Sequence, residues 1–522
     1  MMREAGPMSG RILNFCRRIV VFTAAATGSV FAVPSTGLIP ITELPPSLYE
    51  GFPGGLYPAQ SNSVPAAHTS AGLAQAALVQ PRNAAGTADP AGWIVMISVG
   101  MSNTTHEFAP FERQEDMNAN RNARLLIVNG AHGGQTASEI RNPASPYWTL
   151  VDQRLAALHM TPQQVQVAWI KETNANPPDN FPTHAQELSA DLRAAVQVLR
   201  DRFENLRVCY LSSRIYGGYA GGGLNPEPQA YESAFAVKWL IEDQIDGAAD
   251  LNFDPAQGAV EAPWMAWGPY LWADGVVPRV ADGLTWLQTD LEPDGTHPAP
   301  SGEQKVADLL SSFLSVEPSA ALWHDARPGA AIHVVDAIED AHISLAQPTQ
   351  NFGSATELFI APGAAASDVF LKFDVRDVSA PIQFAKLSFR VNTGGPRATV
   401  RSVTDDSWTE GSITWSNAPA GVEPPVITTG AISRDGSLSA DVTQAVTSDA
   451  DGLVSLRLSV PGGTGSYWSR EGGQPPRLAL VVQTTGPQIP ATSAGGLISL
   501  ALSLAAAASL ILIRNRAHAN SL

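Results

Sequence analysis

Two different hydrophobic repeats, one following the other, constrain this chain more than any other feature. Over residues 92–323, short apolar runs of strand length ("WIVMIS", "RLLIVNG", "VQVAWI", "RVCYLSS") alternate with helical stretches such as "THAQELSADLRAAVQVLRDRF". The latter repeats its apolar residues every three or four positions. Strand–helix alternation of this kind predicts a parallel sheet covered by helices on both faces. After Trp323 the helical period nearly vanishes. Residues 331–484 show short alternating strands ("VFLKFDV", "AKLSFRV", "ATVRSVT", "LVSLRLSV", "RLALVVQ") split by turn residues. That pattern predicts an antiparallel β-sandwich. The fold class is therefore α/β over residues 89–318, then a β-sandwich over 331–484, with 319–330 as linker. The Pro and Gly in "VEPSAALWHDARPG" predict some freedom between the two.

The ends read as targeting segments. Arg11, Arg17 and Arg18 precede the apolar stretch "IVVFTAAATGSVFA", and small residues lead to a cut after Ala32, so 1–32 is expected to be a signal peptide. Residues 33–88, rich in Pro, Gly, Ala and Ser, look like a loosely ordered leader. The uncharged stretch at 495–513 is long enough to cross a bilayer, and "RNR" follows it at 514–516. With "PQIPATSAGG" ahead of it, the 485–522 tail also resembles bacterial C-terminal sorting signals. An exported, extracellular or cell-surface protein is expected, held at the membrane through its C-terminal span. A net charge of −17 argues against a nucleic-acid partner. Cys16 would leave with the signal, and Cys209 lies in a strand, so no cysteine-based metal cluster is expected.

Ligands of parallel sheets bind where the strands end, and the first strand ends in "VGMSNTTHEF". Ser102 follows that strand directly, as either a nucleophile or the cap of the next helix. A serine nucleophile needs a base, an orienting group for the base, and donors for the oxyanion. In "DLEPDGTHPAPSGEQKVADLL", Asp294 precedes His297 by three residues on a tight turn. That spacing lets the carboxylate reach one ring nitrogen and leaves the other free to face a serine.

These stretches resemble the four blocks of the SGNH (GDSL-like) hydrolase family, esterases built on a flavodoxin-like sheet. "SVGMSNT" is similar to the Gly-x-Ser-Asn variant of carbohydrate O-acetylesterases, which implies Ser102 as nucleophile. "IVNGAHGGQTA" is similar to the second block, whose glycine donates a backbone N–H to the oxyanion. Gly130, Gly133 and Gly134 are available there, and Gly134 matches best. "VAWIKETNAN" is similar to the third block, whose asparagine amide is another donor; Asn174 is assigned, with Asn176 as the alternative. Either could instead cap the turn after the strand. "PDGTHP" matches the fourth block and implies Asp294 as acid and His297 as base. Lys171 departs from the family, which has glycine there. No metal or organic cofactor is implied, and His106, His132 and His184 lack ligand-like spacing.

Trp264, Trp267, Trp272 and Trp286 precede the acid–base loop, where packing is the commoner use of tryptophan and stacking on sugar the alternative. "SSRIYGGYAGGGLNPEPQAYE" reads as a loop beside the site, from which Arg214 or Tyr216 could touch substrate. Residues 331–482, above all "SWTEGSITWSNAP", resemble the DNRLRE-type domain, or family 96 carbohydrate-binding module, which implies a polysaccharide partner. Trp408 and Trp415 are expected in its core. Together the resemblances imply an exported serine esterase acting on small acyl esters, O-acetyl above all, of a polysaccharide. The alternatives are a lipid or small-ester hydrolase and a non-catalytic surface adhesin.

Overall fold

The computed structural model describes residues 33–177 and 180–484. The expected signal peptide and C-terminal span lie outside these residues. Among the described residues no helix is long and apolar enough to cross a membrane.

The N-terminal part is built on five parallel strands: β1 (Ile94–Gly100), β2 (Leu125–Val128), β3 (Val165–Lys171), β4 (Val208–Ser212) and β5 (Trp264–Trp267). Their order is β2-β1-β3-β4-β5. Every residue in them is buried, as continuous apolar runs require when helices cover both faces. Helices α1 (Ser102–Asp116) and α4 (Pro300–Val316) pack together, as do α2 (Thr183–Arg202) and α3 (Gln229–Ile245). From β1 the chain crosses to β2 on one side and later resumes at β3 on the other. This reversal opens a crevice at the carboxyl ends of β1 and β3. Gly100 pairs with Lys171, and Lys171 with Ser212, so three strands end at one edge.

Residues 33–88 are not a loose leader. Ser35 Oγ and the Thr36 N–H each donate to Asp274 at 2.6 Å. The Trp267 N–H donates to the buried Tyr57 hydroxyl. On the helix Ala66–Ala76, a Cβ at Gly72 would lie 2.3 Å from the Trp264 ring, so only glycine fits there. Of the segment's core residues, Ile41, Leu44 and Tyr57 stand apart among Pro and Gly, and the helix Ala66–Ala76 that leads to Val79 offers alanines with a single leucine, a weak periodic signal.

The C-terminal part is two antiparallel sheets of six and five strands. Two of these strands matter below: β6 (Ile382–Thr393), central in the larger sheet, and its neighbour β7 (Ser437–Asp441). Leu358, Leu371, Phe389, Leu456, Tyr467 and Leu480 belong to the core between the sheets. Trp408 is buried with its indole N–H on Ser455 Oγ, and Trp415 packs partly buried against the same cluster, as expected of core residues. Lys372 lies 4.5 Å from the Trp408 ring centre.

The two parts do not swing on a linker. Residues Pro318–His324 form a helix whose Trp323 is fully buried, and His324 Nε2 lies 3.0 Å from Glu115 of α1. Trp93 and Phe384 pack across the boundary with ring centres 4.7 Å apart and planes tilted by 52°. Lys386 of β6 reaches Glu112 and Asp116 of α1, and Arg390 of β6 pairs with Glu303 of α4. A Pro/Gly-bearing connection says nothing of the surfaces it joins, and these contacts are remote in sequence.

One buried carboxyl sets a stability test. Asp340, 1 % exposed, accepts the Arg470 N–H on one oxygen and has no partner on the other. Burial pushes it up to about 7, from an ordinary 3.8. The folded chain therefore holds a proton that the unfolded chain releases between those values. This contribution to stability falls as pH rises through that window and is level above it. Asp340→Asn is expected to gain about 2–4 kcal/mol over the parent at pH 8 and little at pH 4. Parallel thermal melts at the two pH values check this; a gain equal at both would contradict it.

Candidate active site

The apolar run of β1 ends at Gly100, where a Cβ would lie 2.4 Å from both the Lys171 carbonyl and Thr104 Oγ1. Glycine there lets the backbone pass close to β3 and turn at once into α1. Met101 is the N-cap of α1, and Ser102 is its first residue. The Ser102 side chain does not cap: its Oγ lies 2.8 Å from His297 Nε2. As the first residue of α1, Ser102 has a backbone N–H with no intrahelical acceptor.

His297 Nδ1 lies 2.6 Å from Asp294 Oδ2. The other oxygen, Asp294 Oδ1, accepts the N–H groups of Thr296 and His297, both at 2.9 Å. Partial burial alone would raise the Asp294 carboxyl, but the hydrogen bonds from His297 and Thr296 outweigh it and hold it below the usual range. Asp294 therefore stays ionised and fixes the proton of His297 on Nδ1, leaving Nε2 to accept from Ser102.

The loop after β2 runs past the serine. A Cβ on Gly133 would stand 3.7 Å from Ser102 Cβ. Gly134 adopts φ +78°, the left-handed region, and faces open space. Gly130 instead packs against the Ser98 carbonyl, 2.4 Å from where its Cβ would be.

Asn174 stands just beyond β3 with its amide largely committed. Its Oδ1 accepts the Ser138 N–H at 2.9 Å, and Nδ2 donates to Asp191 at 2.6 Å. One Nδ2 proton remains. Asn176 turns in the left-handed region (φ 48°), and its N–H donates to the Gly223 carbonyl. Lys171 points away from the edge into the interior, where Nζ lies 2.6 Å from both oxygens of Glu107, and both side chains are buried.

Trp264, Trp267, Trp272 and Trp286 are all buried, and their indole N–H groups go to His68, Leu56, Glu227 and Leu271. Arg214 and Tyr216 are buried too, Tyr216 with its hydroxyl on the Val33 carbonyl. The three histidines go to three separate places: His184 to Glu232, His132 to Arg154, and His106 to the flank of His297.

Sequence reasoning gives no role at the site to two residues that border it. His106 is 4 % exposed, with its ring centre 5.3 Å from that of His297. Burial, with His297, Arg390 and Arg434 nearby, pushes it down to about 2, so it flanks His297 as an uncharged ring. Asn103, also buried, donates from Nδ2 to the Thr296 carbonyl at 2.9 Å. It thus ties the acid–base loop to the helix that carries the serine. Its signal is its place as the asparagine of the Gly-x-Ser-Asn resemblance, directly after Ser102. Asn103→Ala is expected to lower stability by about 1–2 kcal/mol, since the Thr296 carbonyl loses its buried donor. Thermal melts check this, and an unchanged melting temperature would contradict it.

Comparison with known proteins reaches the second part of the chain. Residues 331–484 match carbohydrate-binding module family 96. No curated protein matches the chain. Among solved structures, the X-ray crystal structure of protein YXIM from Bacillus subtilis is similar at 14 % identity, over 44 % of this chain and 57 % of that one, with a TM-score of 0.24. A carbohydrate-binding module thus occupies the antiparallel sheets beside the parallel-sheet site.

Proposed function

We propose that this chain is an exported serine esterase of the SGNH type, which removes small acyl groups, O-acetyl above all, from a polysaccharide held by residues 331–484. One observation carries the reading: the unbroken chain of short contacts from Ser102 Oγ through His297 to Asp294, at the sheet edge where ligands bind. In this reading Ser102 Oγ bonds to the ester carbonyl carbon as its proton passes to His297 Nε2. The oxyanion meets the N–H groups of Ser102 and Gly134 and the remaining Asn174 amide proton. His297 returns the proton to the leaving alcohol oxygen, and the acyl group stays on Ser102. Water then attacks the acyl-enzyme with His297 as base, releasing the acid and restoring the serine. Each oxyanion donor is worth about 10²- to 10³-fold in rate.

The module supports a glycan as the carrier of the ester, and it fits an extracellular or cell-surface location. The test compares the full chain on acetylated polysaccharides, p-nitrophenyl acetate and a long-chain p-nitrophenyl ester. Acetate release from a glycan with little action on the long chain is expected. Preference for the long chain would favour a lipid or small-ester hydrolase, and inertness on every ester would leave a polysaccharide-binding protein.

A further inference from the structure

The sandwich reaches the site through residues 429–436, which join Ile427–Thr428 to β7. Arg154, 6 % exposed, holds this segment from the parallel-sheet side. Its Nε donates to the Ala431 carbonyl at 3.0 Å, while Nη1 donates to the Asn129 and Ala131 carbonyls of the loop after β2. The fit is close: a Cβ on Gly430 would stand 2.8 Å from Arg154 Cγ.

Clamped this way, Ser433 enters the loop that runs past Ser102. Its Oγ accepts the Gly133 N–H at 2.9 Å and lies 3.0 Å from His132 Nδ1. The Arg154 Nη2 group faces the same Nδ1 at 3.1 Å. Burial, with Arg154 beside it, pushes His132 down to about 4. The ring is therefore neutral; Arg154 can only donate, so Nδ1 is the acceptor, its lone pair shared by the Arg154 Nη2 group and the Ser433 hydroxyl, which in turn accepts from Gly133. Both ends of one hydroxyl are used on two consecutive residues, directly before Gly134. Two further contacts follow along the segment. Arg434 stands 3.8 Å from Glu292 of the acid–base loop, and Asp435 stands 4.0 Å from His106.

We propose that the sandwich is a working part of the catalytic site, with Ser433 as the positioning residue that fixes the His132–Gly133–Gly134 peptide against Ser102. This rests on the esterase reading above. A backbone donor acts only if it is aimed before charge develops, and a displacement of about 1 Å can cost about 10²-fold in rate. The effect should therefore fall on kcat and spare substrate binding.

The test uses the full chain with p-nitrophenyl acetate, comparing the parent, Ser433→Ala and Ser433→Thr. Ser433→Ala is expected to lose about 10- to 100-fold in kcat with KM within about threefold, on the same grounds. Its affinity for methylboronic acid, which adds to a catalytic serine as a tetrahedral anion, should fall by a similar factor. Ser433→Thr, which keeps the hydroxyl, should recover most of the rate. Unchanged kcat in Ser433→Ala beside an active parent overturns this inference alone. An equal loss in both variants with a lowered melting temperature makes the effect one of folding, and overturns it as well. A parent with no Ser102-dependent turnover overturns the esterase reading and this inference with it.

Discussion

Ser102→Ala is expected to lower kcat on p-nitrophenyl acetate by about 10⁴-fold or more, with a melting temperature unchanged from the parent. Both halves of this expectation come from the local geometry. The hydroxyl is the one group placed to accept an acyl carbon while handing its proton to His297 Nε2 at 2.8 Å. Because Met101 is the N-cap of α1, removing the Ser102 oxygen strips no cap from the helix. The side chain is only partly buried, so water can take over the freed His297 nitrogen, and a surface-like change within about 0.5 kcal/mol follows. A drop in rate together with a drop in stability would point back to a structural serine. Equal rates in parent and variant would remove the esterase reading for simple esters.

The contrast between what could and could not be read from the sequence follows one rule. Features carried by local pattern were legible. The buried runs that became β1, β3 and β4 are continuous and apolar, and the Asp294–His297 spacing fixes its own hydrogen bond within a single turn. Features that depend on pairs remote in sequence were not. Lys171 stood out as a departure at the site, yet its partner is Glu107, one turn into α1, and the pair lies beneath the edge. Asn174 occupies the expected edge, but its engagement with Ser138 and Asp191 depends on two other helices. The 33–88 segment looked loose because its core residues are isolated or sit by a helix of weak periodic signal, although Tyr57 and Gly72 fit closely against β5. His106 meets His297 only once α1 and the distant acid–base loop come together, and Ser433 reaches the site only once the two parts have docked.

Docking itself is open to a large and specific perturbation at Lys386. Its ammonium lies 2.7 Å from Glu112, 2.9 Å from Asp116 and 3.1 Å from the Ile127 carbonyl, with all three side chains buried. Burial would lower the lysine, but Asp116 and Glu112 outweigh it and hold it above its ordinary value. Lys386→Met keeps the length and apolar volume of the stem but leaves two carboxylates facing each other in the boundary. Breaking a buried pair from one side costs about 3–5 kcal/mol; Asp116 keeps Arg121 at 3.4 Å, so the charge left stranded is that of Glu112. Burial already raises the Glu112 carboxyl, and without the lysine it relieves the strain by binding a proton in the folded state. The variant's deficit should therefore be widest near pH 8 and shrink as pH falls toward about 5. Adding Glu112→Gln to Lys386→Met should recover much of the loss, since it removes the stranded charge and leaves Asp116 with Arg121. Urea unfolding of the three proteins at both pH values measures this. A deficit below about 1 kcal/mol, or one independent of pH, would mean that Lys386 is not what reconciles the two buried acids. The sandwich would then be held to α1 by its apolar contacts, Trp93 on Phe384 foremost.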